Sequence, residues 1–419
     1  MLNRRSFLSA GAALTLIPPA KAQSLVEVSR SLTEEGRYLP LLHAMQAQWP
    51  ANAAMRDPLA QVLAMTGDET AAMENIPARP LPLPDFADVS AHNALEAIVA
   101  AAKTRQIVIL NEAHHISRCR AFAEALMEEL RFEGFTVFAA ETFTNIERAW
   151  PNAAMQALNS GAPITAALGW YLADPVYAEL VRAARKLGYR FVSYEMRPDQ
   201  LANAGNASDR QREVREDAEA NNIIAHVLDG DPKAKIFIYC GYDHVLKSEV
   251  EAHQLWFAAR LKAKTGIDPL CIGQAWTVPP PVGLAEEDGL QALLDHFRPA
   301  SAIILRHKSG EPLRLTAPNK ALDFEVIHHR ASEVNGRPGW LAAATGRKEV
   351  HFKLAEVPLE GALLQAIPVL EKQAPGVIPA DQYPAPENVR EANFYLKPGD
   401  YEVRLETDET RIPLGTVKV

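Results

Sequence analysis

Four short apolar runs in this chain each end in an acidic residue or a histidine. After 107–110 comes Asn111-Glu112-Ala113-His114-His115. After 136–140 comes Glu141, and after 189–194 comes Glu195. After 235–240 comes Gly241-Tyr242-Asp243-His244. A carboxylate beside an imidazole fixes its tautomer and raises its basicity. Such an imidazole acts as general base on a water molecule. One such residue reads equally well as a helix cap, and Glu112 and His115 both precede a helical segment. Four consecutive strand ends of this kind argue for a site. The rival use of the same residues is ligation. Two histidines with two or three carboxylates suit a divalent ion, although His114 and His115 are adjacent and point apart. Haem needs an axial ligand and an apolar slot, and His114, His244, Tyr242 and Tyr194 offer the ligand.

These residues converge only if the strands are parallel. Short unbroken apolar runs alternate with helical periodicity from about residue 91 to 310, which predicts an α/β core. Its central sheet is mostly parallel, with helices on both faces, and the strand ends then share one rim, where ligands bind in such sheets. Residues 23–90 read as an irregular, partly helical lead, with a proline-rich linker at 76–85. From 325 to 419, prolines, glycines and alternating patterns predict a small β-rich appendage, with strand, turn and strand around Pro398-Gly399-Asp400. A further strand is expected at 301–305. The pair His328-His329 reads as a surface feature of a strand or loop.

Residues 1–22 read as an export signal. Arg4-Arg5-Ser6-Phe7-Leu8 has twin-arginine character, a short apolar stretch follows, and Ala20-Lys21-Ala22 makes a cleavage site. The apolar stretch is shorter than a membrane span. The expectation is a periplasmic protein that does not stay in the membrane after cleavage. The 43 Lys and Arg against 52 Asp and Glu, a net charge of -9, argue against nucleic acid as partner and leave a small molecule. Three cysteines make no disulfide framework. There is no Gly-x-Ser-x-Gly elbow, P-loop or dinucleotide fingerprint.

The segment from Ile109 through Glu112 and His115 to Arg118, an amphipathic helix, and then Gly134 to Glu141 resembles the erythromycin-esterase family. So does Arg215-Glu216-Asp217-Ala218-Glu219-Ala220-Asn221-Asn222-Ile223, as do His244 and the ending from Leu261 to Gly266 and Cys271 to Gly273. Asn111 stands where that family has glycine, His114 where it has threonine, and Glu219 where it has methionine. The ChaN-like haem-uptake proteins and the Tiki and TraB groups share the superfamily. The resemblance spans roughly 90–280 and implies a hydrolase acting on an ester, lactone or related bond. In it His115 is the general base, Glu112 and Glu141 orient it, and His244 assists or stabilises the oxyanion. His114, Arg118, Glu195, Arg215 and Asp243 are supporting or substrate-binding residues. The ChaN-like and Tiki groups imply instead a haem- or divalent-metal-binding protein.

Overall fold

The computed structural model describes residues 28–201, 208–250, 254–317, 321–354, 359–386 and 389–419. The expected export signal lies outside them. The lead contains helices α1 (Leu39–Gln48), α2 (Arg56–Met65) and α3 (Glu69–Glu74). Then follow β1 (Val89–Asn93), α4 (Ala94–Ala102), β2 (Ile107–Glu112), α5 (Arg118–Phe132) and β3 (Val137–Ala140). Next come α6 (Ala153–Asn159), α7 (Pro175–Lys186), β4 (Arg190–Ser193), α8 (Ser208–Ile223) and β5 (Ile236–Gly241). The run closes with α9 (Phe257–Thr265), β6 (Leu270–Gly273), α10 (Asp288–Phe297), β7 (Ile303–His307) and β8 (Phe324–Glu325).

Six strands form the central sheet in the order β4-β3-β5-β2-β6-β8. Every pairing in it is parallel. The cause is legible in β2, whose residues are all buried. Val108 and Leu110 enter the core on one face, with Leu126 of α5 and Leu180 of α7. Ile107 and Ile109 enter the core on the other, with Ile223 of α8 and Phe257 of α9. An apolar side chain on both faces is what a sheet covered by helices on each side requires. The chain runs from β2 outward to β3 and β4, returns to β5 between β3 and β2, then crosses to β6. That reversal puts the ends of β2, β3 and β5 side by side.

Three features differ from the sequence expectation. The strand expected at 301–305 exists as β7, but it pairs antiparallel with β1, outside the central sheet. The sixth parallel strand is instead the two-residue β8, beyond the expected core boundary. The lead does not stand apart from the core, because Leu41, Leu59 and Val62 share one apolar cluster with β2 and α5. The proline-rich segment is likewise packed rather than free: Leu81 is buried against Leu290 and Leu294 of α10.

The C-terminal region is antiparallel, as its alternating pattern requires. After a two-residue pair at Glu333–Val334 and Arg337–Pro338, its longer strands are β9 (Lys348–Lys353), β10 (Leu363–Pro368), β11 (Asp381–Pro384), β12 (Glu391–Leu396), β13 (Asp400–Glu406) and β14 (Arg411–Lys418). Four of them pair in the order β11-β10-β13-β14, and β9 pairs with β12. The turn at Pro398-Gly399 therefore joins strands of two sheets rather than a hairpin. Their inner faces share a core of Leu364, Phe394, Val403 and Leu405. Buried charges tie this region to the rest. Lys397 pairs with Glu124 of α5, and Arg182 of α7 meets Glu371 at 2.6 Å. Glu406 accepts from the backbone N–H groups of Tyr38 and Leu39 at 2.7 and 2.9 Å, satisfying donors at the start of α1.

Candidate functional site

The last residue of β2, Glu112, is buried, and a guanidinium and an imidazole meet it. Arg120 donates to both of its oxygens at 2.8 Å. His114 Nδ1 lies 2.9 Å from Oε1. Arg120 is itself fully buried and reaches Asp174 at 2.8 Å. Asp174 caps α7 by accepting from Val176 and Tyr177 N–H, with Pro175 at the first helical position. The cap residue thus holds the arginine that holds Glu112. Burial alone would push the Glu112 carboxyl up, but Arg120 and then His114 outweigh it and hold it at about 2. As a carboxylate it accepts from Nδ1–H, which leaves the His114 Nε2 lone pair free to take a proton.

The His114 ring stacks on Tyr171 at 3.7 Å between centroids and meets Tyr242 edge-on at 4.9 Å. Its Nε2 edge faces Gly241. A Cβ at position 241 would stand 2.4 Å from Nε2 and 3.1 Å from Glu141 Oε2. Only glycine leaves that gap between imidazole and carboxylate. Glu141 Oε2 also accepts the Gly241 N–H at 2.5 Å. Burial raises the Glu141 carboxyl, but His244, Arg215 and His114 together bring it down to about 2.

Arg215 of α8 organises the second half of the cluster. It donates to Glu195 at 2.8 and 2.5 Å, to Glu141 at 2.7 Å and to His244 Nε2 at 2.8 Å. It also lies 3.1 Å from Glu219, one turn on in α8. His244 Nδ1 is 2.9 Å from Glu216 and 3.3 Å from Glu219. Burial opposes a charge on His244 while Glu216 and Glu219 pull it toward protonation. Burial pushes Glu219 up to about 8. Arg215 donates to Nε2, so the His244 ring presents its Nδ1–H to Glu216 and Glu219.

The structure thus brings Glu112, His114, Glu141, Glu195, Arg215 and His244 together. It does not bring His115 or Arg118 to them. His115 turns the other way, lines a separate cleft and lies 3.4 Å from the Tyr242 hydroxyl. Burial, with His114 and Arg120, lowers it to about 3, which makes it a weak base. Arg118 donates to His329 at 3.1 Å. Asp243 lies in the turn after β5, half-buried, its carbonyl accepting from Leu246 N–H. The pair His328-His329 is not a surface feature: His328 is buried and meets the Gln274 side chain at 2.9 Å. His329 beside it is half-buried.

Sequence reasoning passed over Arg120, Asp174, Glu216, Glu219 and Gly241 as site residues and weighed Tyr242 only as a haem ligand. Asp174-Pro175 before a helix was a readable cap signal, and Glu216 and Glu219 at i and i+3 share a helix face with Arg215. Tyr242 has φ +40, a left-handed conformation that a bulky residue rarely adopts. Asn111 holds it there, donating to the Tyr242 carbonyl at 2.7 Å while accepting Gln274 N–H at 2.7 Å. The asparagine at the glycine position of the motif therefore clamps the ends of β5 and β6.

A porphyrin does not suit these imidazoles. Gly241 closes the Nε2 side of His114, and both His244 nitrogens already have partners. Tyr194 is buried against Phe257. A divalent ion is better served, since ligand atoms of Glu216, Glu219 and His244 lie within 4.8 Å of one another.

The low carboxyl values predict an acid limb. Glu112 is near 2 folded and about 4.3 unfolded. Its contribution, on the order of 3 kcal/mol, is present above about pH 4.5 and lost as pH falls toward 2. His115 adds an earlier loss. Between about pH 6.5 and about 3 the unfolded chain takes up a proton that the folded one refuses. Urea midpoints across pH 7 to 2.5 should show Glu112→Gln flattening the lower window and His115→Gln the upper.

No family model and no curated protein matches the chain. Several solved structures overlap it weakly. A chain described as "Bacterial protein toxins" is 16% identical, with 58% of this chain and 44% of that one covered, at a TM-score of 0.30. The type III effector HopBA1 is 13% identical over 59% of this chain and 99% of its own, at 0.34. RRSP, a MARTX toxin effector domain from Vibrio vulnificus CMCP6, is 14% identical over 53% and 51%, at 0.28. The chain spans less than half of the first of these. Likeness at this level carries no functional argument. Among the described residues, no helix is long and apolar enough to cross a membrane.

Proposed function

We propose that the chain is an exported hydrolase, of the erythromycin-esterase-like superfamily, that opens an ester, lactone or related acyl bond with water. One observation carries the reading: an imidazole oriented by a buried, arginine-compensated carboxylate, its Nε2 facing Glu141 across the gap at Gly241. His114 would take the proton of the attacking water at Nε2. Glu112 would stabilise the imidazolium formed. Glu141 would hold that water from the other side. Arg215, backed by Glu195 and held by His244, would bring positive charge toward the developing oxyanion. The family resemblance gave the base to His115; the geometry favours His114, which alone of the two contacts Glu112. The substrate is a small molecule, and the net negative charge disfavours nucleic acid.

The test is hydrolysis of a panel of p-nitrophenyl acetate, p-nitrophenyl butyrate, 2-naphthyl acetate, ethyl acetate and γ- and δ-lactones by the purified protein. Turnover above the buffer rate on at least one is expected, and none across the panel overturns the reading. A second reading, a divalent-metal protein, rests on the proximity of Glu216, Glu219 and His244. Those three would hold the ion, although Arg215 already supplies positive charge to two of them. Stoichiometric Zn²⁺ or Mn²⁺ in elemental analysis, removed by chelator with loss of thermal stability, would favour it.

A further inference from the structure

A second feature opens on the same rim. A cleft of about 240 Å³ lies between the proline-rich segment and the loop that follows β6. One wall is Ile76, Pro77 and Leu81, the other Trp276 and Val278, and His115 with Ile116 lies between them. The volume exceeds the roughly 150 Å³ of a dry cavity that holds benzene. It falls below the ~300 Å³ where pockets for whole drug-sized ligands begin. The cleft therefore suits one ring system of a larger molecule. Trp276 lines the cleft with its indole, and the Arg79 guanidinium lies over that ring at 5.4 Å from its centroid. Burial keeps His115 neutral at pH 7, so that part of the cleft carries no formal charge. Leu83 and Val282, on the two segments that form the walls, are each more than half exposed.

The cleft is coupled to the catalytic rim through one residue. The Tyr242 ring lies 5.5 Å from Trp276 and 4.9 Å from His114, and its hydroxyl is 3.4 Å from His115. Asn111 holds the Tyr242 backbone, so the ring that lies against both Trp276 and His114 is fixed in place.

We infer that this cleft binds a planar apolar group of the substrate, of naphthyl or indolyl size, and sets its scissile bond beside Tyr242 and His114. The inference rests on the hydrolase reading for its catalytic half, while ring binding can be measured without turnover. Ala78 and Ala285 line the cleft from exposed positions, so filling it there leaves the core intact. Calorimetric titration of the purified protein with 2-naphthol, an inert product analogue, should give one saturable site. Ala78→Trp and Ala285→Phe should each weaken it at least tenfold. The same variants should cut the preference for 2-naphthyl acetate over ethyl acetate about tenfold, a usual scale for one apolar pocket. Binding of 2-naphthol that is lost in both variants, with no ester cleaved, keeps the subsite and removes the hydrolase. Esters cleaved with no 2-naphthol binding, or with both variants unchanged, remove the subsite and keep the hydrolase. Circular dichroism and thermal melts establish that each variant is folded.

Discussion

His114→Gln is expected to lower kcat/KM for whichever ester the protein cleaves best by about 10³-fold, while His115→Gln costs less than tenfold. General-base catalysis by a positioned side chain contributes about 10²–10⁴-fold. The two histidines are neighbours in sequence and of one residue type, so a difference between them isolates geometry. His114 Nδ1 is 2.9 Å from a carboxylate that Arg120 holds ionised, and its Nε2 faces Glu141. His115 touches no carboxylate among the described contacts and sits at about 3, too weak a base to draw a proton from water near neutral pH. Glutamine at 114 keeps a hydrogen-bonding group for Glu112 and removes the basic nitrogen, so the melting temperature should move little. Initial rates and thermal melts on both variants check this. Equal losses would sink the assignment, and a loss confined to His115→Gln would return the base to the position the family motif suggests.

The difference between the two histidines also shows what could be read from residue order. Continuous apolar runs such as 107–110 declared strands buried on both faces, and that alone placed Glu112, Glu141, Glu195 and His244 on one rim. The parity at a strand end was not readable. Two residues beyond Glu112 the chain has left the sheet, and side-chain direction there depends on the turn into α5. That turn is set by Arg120 reaching back to Glu112 and to the His114 carbonyl. An arginine in the first turn of a helix looks like a solvated charge in sequence. Its burial depends on Asp174, more than fifty residues away, and no local pattern reports such a contact. The same holds for the proline-rich segment. Its composition announces extended chain, which is correct, but whether extended chain crosses solvent or packs on α10 depends on Leu81 finding Leu290. The pair at 328–329 was misread for a related reason, since its cover comes from Gln274 and Phe122 rather than from its own neighbours.

Arg215→Met should be the most damaging single change to stability and should also abolish turnover. Arg215 is the cation shared by Glu141, Glu195 and Glu219, and it holds the His244 ring as well. Breaking a buried pair by removing one partner costs about 3–5 kcal/mol, because the remaining charge keeps its burial without compensation. Methionine preserves much of the side-chain volume, so the loss reports charge rather than a cavity. The pH dependence has a definite sign. In the wild type, Arg215 helps to hold Glu141 near 2, below its unfolded value, so Glu141 loses stability as pH falls through the acid range. Without Arg215, His244 and His114 still oppose burial, but the folded Glu141 carboxyl moves up toward its unfolded value. The variant then has less Glu141 stabilisation to lose than the wild type, so the deficit of Arg215→Met should narrow as pH is lowered from 5 to 3. Urea denaturation at both pH values measures it. The double variant Arg215→Met with Glu195→Gln should recover part of the stability at pH 7, since one orphaned carboxylate is gone. A deficit that is constant with pH and unrelieved by Glu195→Gln would mean that Arg215 acts through packing. The cluster would then lose the charge at the oxyanion position on which the proposed reaction depends.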